Sequence, residues 1–187
     1  MAEDKIIDGM HHVAQPLGLE HHFYLDFAIE EAEPFYDFFT VLRTAGPEDI
    51  VYLHINSPGG YVSTMTQIIG AIKSAPCAVI GVAEGEVASA AAMIFFSCHG
   101  FMVADYSQFL VHNGMSGHIG KPNDNLAAAD SHHIRTKKVM KGILGPFFSK
   151  KEIKSILNGR EFYMDGDEVV ERLQKAEEKM EAKVEEE

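Results

Sequence analysis

Apolar residues recur along this chain in two rhythms: short continuous runs, and spacings of three and four residues between them. Phe23-Tyr24-Leu25-Asp26-Phe27-Ala28-Ile29 is aromatic and branched and predicts a strand. Pro34 suits the first turn of a helix with Phe35, Phe38, Phe39 and Leu42 on one face, and Gly46-Pro47 breaks it. Ile50 to Ile55 predicts a second strand, ending at Ser57-Pro58-Gly59-Gly60. Met65, Ile68, Ile69 and Ile72 mark a helix face that must stop before Pro76. Ala78 to Ala83 predicts a continuous, buried apolar strand, Ser89 to Ser97 an alanine-rich buried helix, and Phe101–Val103 and Gln108–His112 further short strands. Residues 123–144 form a long helix that is polar over much of its surface, Lys150 to Leu157 a shorter one, and Asp165 begins the last. Strands alternating with helices imply an α/β fold with a parallel sheet and right-handed crossovers. Residues 1–20 show no period and read as an N-terminal arm, 21–175 as a single domain, and 176–187 as an acidic tail.

Length and composition narrow this little further. A chain of 187 residues is large enough for one domain with a substantial core. No apolar run reaches the roughly 18–20 residues of a membrane span, and Met1 to Lys5 lacks the pattern of a signal peptide. Cys77 and Cys98 lie in apolar surroundings and read as buried free thiols, which favours a reducing, cytoplasmic setting. The net charge of −12 argues against nucleic acid as a partner. Part of it is local: Glu177, Glu178, Glu181, Glu185, Glu186 and Glu187 stand against Lys179 and Lys183.

Three segments carry candidate chemistry, and each alone has a plainer reading. Gly59-Gly60 follows a strand and precedes a helix, where glycine lets a backbone N–H approach a reacting carbonyl; alone it is a tight turn. Ser89 opens a helix among the small residues Ala88, Ala90, Ala91 and Ala92; alone it is a helix cap. His112 closes a strand and could take and return the Ser89 proton; alone it is one of ten histidines. The adjacent pairs His11-His12, His21-His22 and His132-His133 do not suit a shared metal, and no HExxH, paired CxxC or phosphate-binding GxxxxGK[ST] occurs. No metal or other cofactor is expected.

Taken together and in order, Ile55-Asn56-Ser57-Pro58-Gly59-Gly60, Gly85-Glu86-Val87-Ala88-Ser89-Ala90 and Phe109-Leu110-Val111-His112-Asn113 resemble the Clp protease proteolytic subunit (ClpP) family, the S14-type serine peptidases, over about residues 22–170. The resemblance implies a ClpP/crotonase-like spiral of βαβ units, with the long helix protruding as a handle. It implies Ser89 as nucleophile, His112 as base, and oxyanion donors from the backbone N–H groups of Gly60 and Ala90. It further implies an ATP-dependent-type serine endopeptidase acting on peptides or unfolded proteins. Its subunits would stack as two seven-membered rings around a chamber, a tetradecamer, with the long helix at the ring-to-ring contact. Ile134, Val139, Met140 and Ile143 would be covered in that assembly.

The chain departs from the family pattern in places. Ala90 stands where the family has Met. The family's Asp precedes an aromatic segment matched here by Phe162-Tyr163-Met164-Asp165-Gly166, and counting back reaches Leu157 or Asn158. An Asn158 carbonyl could hold an imidazole N–H, with Glu161 and Asp105 as lesser candidates. Neither end of the chain resembles the family, as in a phage-encoded or otherwise specialised member, so docking of the family's AAA+ unfoldase is left open. Three other readings stand beside the peptidase: a ring or scaffold subunit without activity, an acyl-CoA hydratase or isomerase on the same spiral fold, and a Ser-Lys dyad. The last lacks a lysine between Lys73 and Lys121.

Overall fold

Strand β1 (Glu20–Leu25) pairs in parallel with β2 (Ile50–Ser57), and β2 with β3 (Ala78–Ala88). The structure, a computed structural model, describes residues 18–115, 117 and 119–185. A 3₁₀ turn at Glu33–Phe35 and helix α1 (Tyr36–Thr44) carry the chain from β1 to β2, and α2 (Val62–Ser74) carries it from β2 to β3. Helix α3 (Ala90–Phe95), strands β4 (Gly100–Val103) and β5 (Gln108–Val111), and helices α4 (Pro122–Leu144) and α5 (Lys150–Leu157) follow. Strand β6 (Phe162–Asp165) and helix α6 (Gly166–Glu185) complete the chain. The sheet order is β1-β2-β3-β5-β6, with β4 beside β3.

The length of β3 gives the sheet its turn. Ile80–Ala83 pairs with β4, whereas Glu86–Ala88 pairs with β5, so one strand serves two successive edges of the spiral. Between these halves the register against β2 slips, from Ile55 opposite Ala83 to Ser57 opposite Val87. Asn56 spans the slip, its Oδ1 accepting the Glu86 N–H at 3.0 Å. A Cβ at Gly85 would lie 2.5 Å from that oxygen, which explains the glycine.

Three expectations need amendment. The strand alternation predicts a parallel sheet and shows Phe162 to Asp165 only as a family motif; that segment is β6, an antiparallel partner of β5, so the sheet is mixed. The apolar strands are not buried on both faces: Val51, Leu53, Ile55, Val79 and Ala83 are buried, while Tyr52, His54, Ile80 and Val82 alternate with them half-exposed. On that outer face His22 Nδ1 lies 2.9 Å from His54 Nε2, and His54 Nδ1 lies 2.7 Å from Glu84 Oε1. Of the four α4 residues expected to be covered only by assembly, Met140 and Ile143 are buried in this chain's own core, and Val139 packs against it. Ile134 is exposed, and Leu126 joins it. Helix α6 runs without a break through position 175, and Ala176 is buried.

Aromatic side chains fill the core in two groups. Phe35, Phe38 and Phe39 from the α1 region meet Phe23 and Phe27, and Phe95 and Phe96 of α3 meet Phe101, Phe109, Phe147 and Phe148. Each fully buried phenyl contributes about 1.5–3 kcal/mol. Cys77 and Cys98 are buried free thiols, and burial pushes the Cys98 thiol up to about 12. Helices α5 and α6 are joined by Arg172, whose guanidinium bonds Glu152 at 3.0 Å and Glu168 at 2.8 Å and lies over the Phe148 ring.

Candidate active site

The sequence Ser57-Pro58-Gly59-Gly60 leaves β2 with its polar groups already committed. Ser57 is fully buried; its hydroxyl donates to the Phe27 carbonyl at 2.6 Å and accepts the Gly59 N–H at 3.2 Å. The next stretch is held by Ile29, which donates its N–H to the Gly59 carbonyl and accepts the Tyr61 N–H. That short parallel bridge turns the N–H and C=O of Gly60 away from Ile29. Gly59 and Gly60 have φ of 86° and 153°, and a Cβ on Gly60 would strike the Ile29 carbonyl. A Cβ on Gly59 would lie 2.7 Å from the Ala90 nitrogen. The glycine turn and the start of α3 are therefore in direct backbone contact.

Ser89 sits between β3 and α3 at φ 55° and ψ −116°. It is the one non-glycine residue with positive φ among the described residues. Such a backbone costs on the order of 1–3 kcal/mol and persists only where its surroundings impose it. Here the Ser89 N–H donates to Leu110 of β5 at 2.8 Å, and its carbonyl accepts from Met93. The sharp strand-to-helix turn projects the side chain out of the elbow. Ala90 follows as the first residue of α3, where a backbone N–H has no partner within the helix.

His112 leaves the end of β5, half-buried, with its Nε2 2.8 Å from Ser89 Oγ. An unprotonated Nε2 at that distance accepts the hydroxyl proton, the first requirement of a general base. The neighbouring Asn113 side chain donates to the Leu157 carbonyl at 3.3 Å and so links the His112 loop to the end of α5. A cleft opens over the pair, lined by Gly60, Val62, Met65, Met93, Arg135, Thr136, Val139 and Met140 along with Ser89, Ala90 and His112.

Asn158 is the sequence candidate that is not brought to this pair. It ends α5, exposed, with its backbone N–H on Lys154 and Ser155. Its side chain lines a separate cleft of about 540 Å³ with His133, Lys137, Lys141 and Lys154. Among the described residues, no side chain hydrogen-bonds His112 Nδ1. Glu161 accepts from the Tyr163 hydroxyl at 2.8 Å, and Asp105 is exposed in the turn before β5. Sequence reasoning missed the roles of Ser57, Asn56 and Ile29. The first two stand inside the motif and were legible as hydrogen-bonding side chains beside a glycine turn. Ile29 carried no signal, since it acts through its backbone. Among the described residues no three His, Cys, Asp or Glu side chains gather as a metal site. No helix among them is long and apolar enough to cross a membrane.

Fold and pair together define a class: a spiral α/β domain with a serine and a histidine meeting at strand ends, beside a glycine turn. Residues 25–172 match the sequence model of the family described as Clp protease, and the chain belongs to that family. It is 29% identical over 127 residues to the ATP-dependent Clp protease proteolytic subunit 2 of Pseudomonas aeruginosa. That alignment covers 66% of this chain and 63% of the relative, so the match spans less than two thirds of the relative's length.

Proposed function

We propose that this chain is a serine endopeptidase that cleaves peptide bonds through an acyl-enzyme on Ser89, inside an oligomeric chamber. The observation that carries the reading is the 2.8 Å approach of His112 Nε2 to Ser89 Oγ at a strained elbow. Ser89 Oγ attacks the substrate carbonyl carbon as its proton passes to His112 Nε2. The carbonyl oxygen becomes an oxyanion facing the N–H groups of Gly60 and Ala90. Collapse breaks the C–N bond, and His112 returns the proton to the departing amine. Water then attacks the acyl-serine with His112 again as base, releasing the acid and restoring Ser89.

The reading keeps Asn158 as the residue that would hold the His112 Nδ1–H, which requires its side chain to leave the cleft it lines here. The Asn113–Leu157 bond supports it, because it ties the end of α5 to the His112 loop. A chamber is supported by the half-exposed outer face of the sheet and by Leu126 and Ile134, which stand in water on α4. The relative's name, an ATP-dependent proteolytic subunit, supports an unfoldase that supplies the substrate. The absence of a described acceptor at His112 Nδ1 favours a second reading, a ring subunit with little or no activity.

An active-site fluorophosphonate probe separates the two. Labelling of the assembled protein that disappears in Ser89→Ala and falls in His112→Ala supports the peptidase. An assembled ring that takes no label is the scaffold. Sedimentation showing only monomer at working concentration would sink the chamber.

A further inference from the structure

The cleft over Ser89 is walled mainly by side chains without charge. Val62 and Met65 come from α2, Met93 from α3, and Thr136, Val139 and Met140 from α4. One permanently charged group is set among them, Arg135. The chain has four arginines, and the other three are seated: Arg43 over Phe39, Arg160 over Phe162, and Arg172 over Phe148 with two glutamates. Arg135 has neither ring nor carboxylate among the described residues. The ion pairs there go to Arg172, Lys175, His21 and His54.

We propose that Arg135 is the carboxylate receptor of the cleft, selecting peptides that bring an acidic group to it as they meet Ser89. The inference rests on the peptidase reading. A guanidinium presents a rigid fork of donors matched to a carboxylate, and its charge persists at every working pH. Arg135 is itself exposed, at the rim of the cleft, so water and salt screen such a pair and the preference it sets is modest. Met65, Met93 and Met140 are flexible thioethers that adapt to many shapes, so the walls discriminate weakly by form. Charge at Arg135 is then the selective feature. The carboxylate has two sources: an Asp or Glu side chain, or the free C-terminus of a short peptide.

The test uses one internally quenched parent peptide in which Gln is replaced by Glu at each position in turn, with the C-terminus free or amidated. At one position Glu should raise kcat/KM about threefold to fivefold over Gln, as expected of a charge pair at an exposed arginine. The preference should shrink as salt rises, vanish in Arg135→Gln, and invert to favour Lys in Arg135→Glu. A loss on amidation alone assigns the carboxylate to the C-terminus. Equal turnover of Glu and Gln peptides at every position, with amidation neutral, overturns the proposal, as does an undiminished preference in Arg135→Gln. Binding of the same peptides to Ser89→Ala, read by fluorescence anisotropy, gives the ranking without turnover. Equal binding there also overturns it, whereas a chain that ranks the peptides but cleaves none fails only on the peptidase reading.

Discussion

Ser89 stands where several backbone segments converge, whereas His112 hangs from the end of a four-residue strand. On the serine side, Leu110 holds the Ser89 N–H, Gly59 packs on Ala90, Ile29 brackets the glycine turn, and Ser57 locks it from within. On the histidine side, one 2.8 Å contact reaches Ser89 and one 3.3 Å bond ties the next residue to α5. In the proposed peptidase, nucleophile and oxyanion donors must be fixed to within fractions of an ångström, and buried side chains fix the segments assigned those roles. The base side is held more loosely, and the helix that borders it, α4, is exposed over much of its surface.

Substitutions can break this asymmetry, from large effects to small. Ser89→Ala should lower peptide hydrolysis by about 10⁴-fold or more in the assembled protein, measured on a fluorogenic peptide. Gly60→Ala should cost about 10²-fold in kcat, since its Cβ meets the Ile29 carbonyl and displaces the N–H proposed as an oxyanion donor. If Gly60→Ala retained full rate, the rigid half would be less rigid than described. On the loose side, Asn158→Ala should lower kcat by about tenfold or less, and Asn158→Asp should retain or raise it. An unchanged rate in Asn158→Ala removes it from the site.

A pH-dependent effect lies outside the site. Burial works to raise the Glu152 carboxyl, but bonds from Arg172 and from Ser149 outweigh it and hold the group at about 2, against an ordinary 4.5. Because the folded value is depressed, the stabilisation is complete above about pH 4.5 and is lost as pH falls toward 2. Discounted for partial exposure, it amounts to about 1–2 kcal/mol. Glu152→Gln should therefore lower Tm at pH 7 and converge with the parent chain near pH 2. The smallest effect belongs to the exposed Lys175–Glu171 pair, where Lys175→Ala should change stability by about 0.5 kcal/mol or less in urea denaturation.

Much of this was legible in the residues. The faces Phe35-Phe38-Phe39-Leu42 and Met65-Ile68-Ile69-Ile72 are buried as their spacing requires, and α4 and α5 lie within a residue of their expected bounds. Those signals are local: a period of 3.6 and a proline or glycine at each end. What escaped depends on partners distant in sequence. Strand β6 is four residues whose meaning comes from β5, and the bend in β3 shows only in its pairing. Val139, Met140 and Ile143 read as exposed because α4 is polar around its middle; the core that covers them arrives from α3 and α5. Ser89 and His112 were found by order along the chain, but no count of residues could say which side chain faces Nδ1 of the histidine.

The positive φ at Ser89 has a consequence for anyone evolving this protein. Glycine is the residue that relaxes such a backbone without strain, so Ser89→Gly should yield a chain that melts later and hydrolyses nothing. A screen that rewards heat resistance alone would enrich for that variant. The same substitution offers a practical gain: a sturdier inert subunit for capturing bound peptides than the usual alanine, which inherits the strain and lacks the hydroxyl.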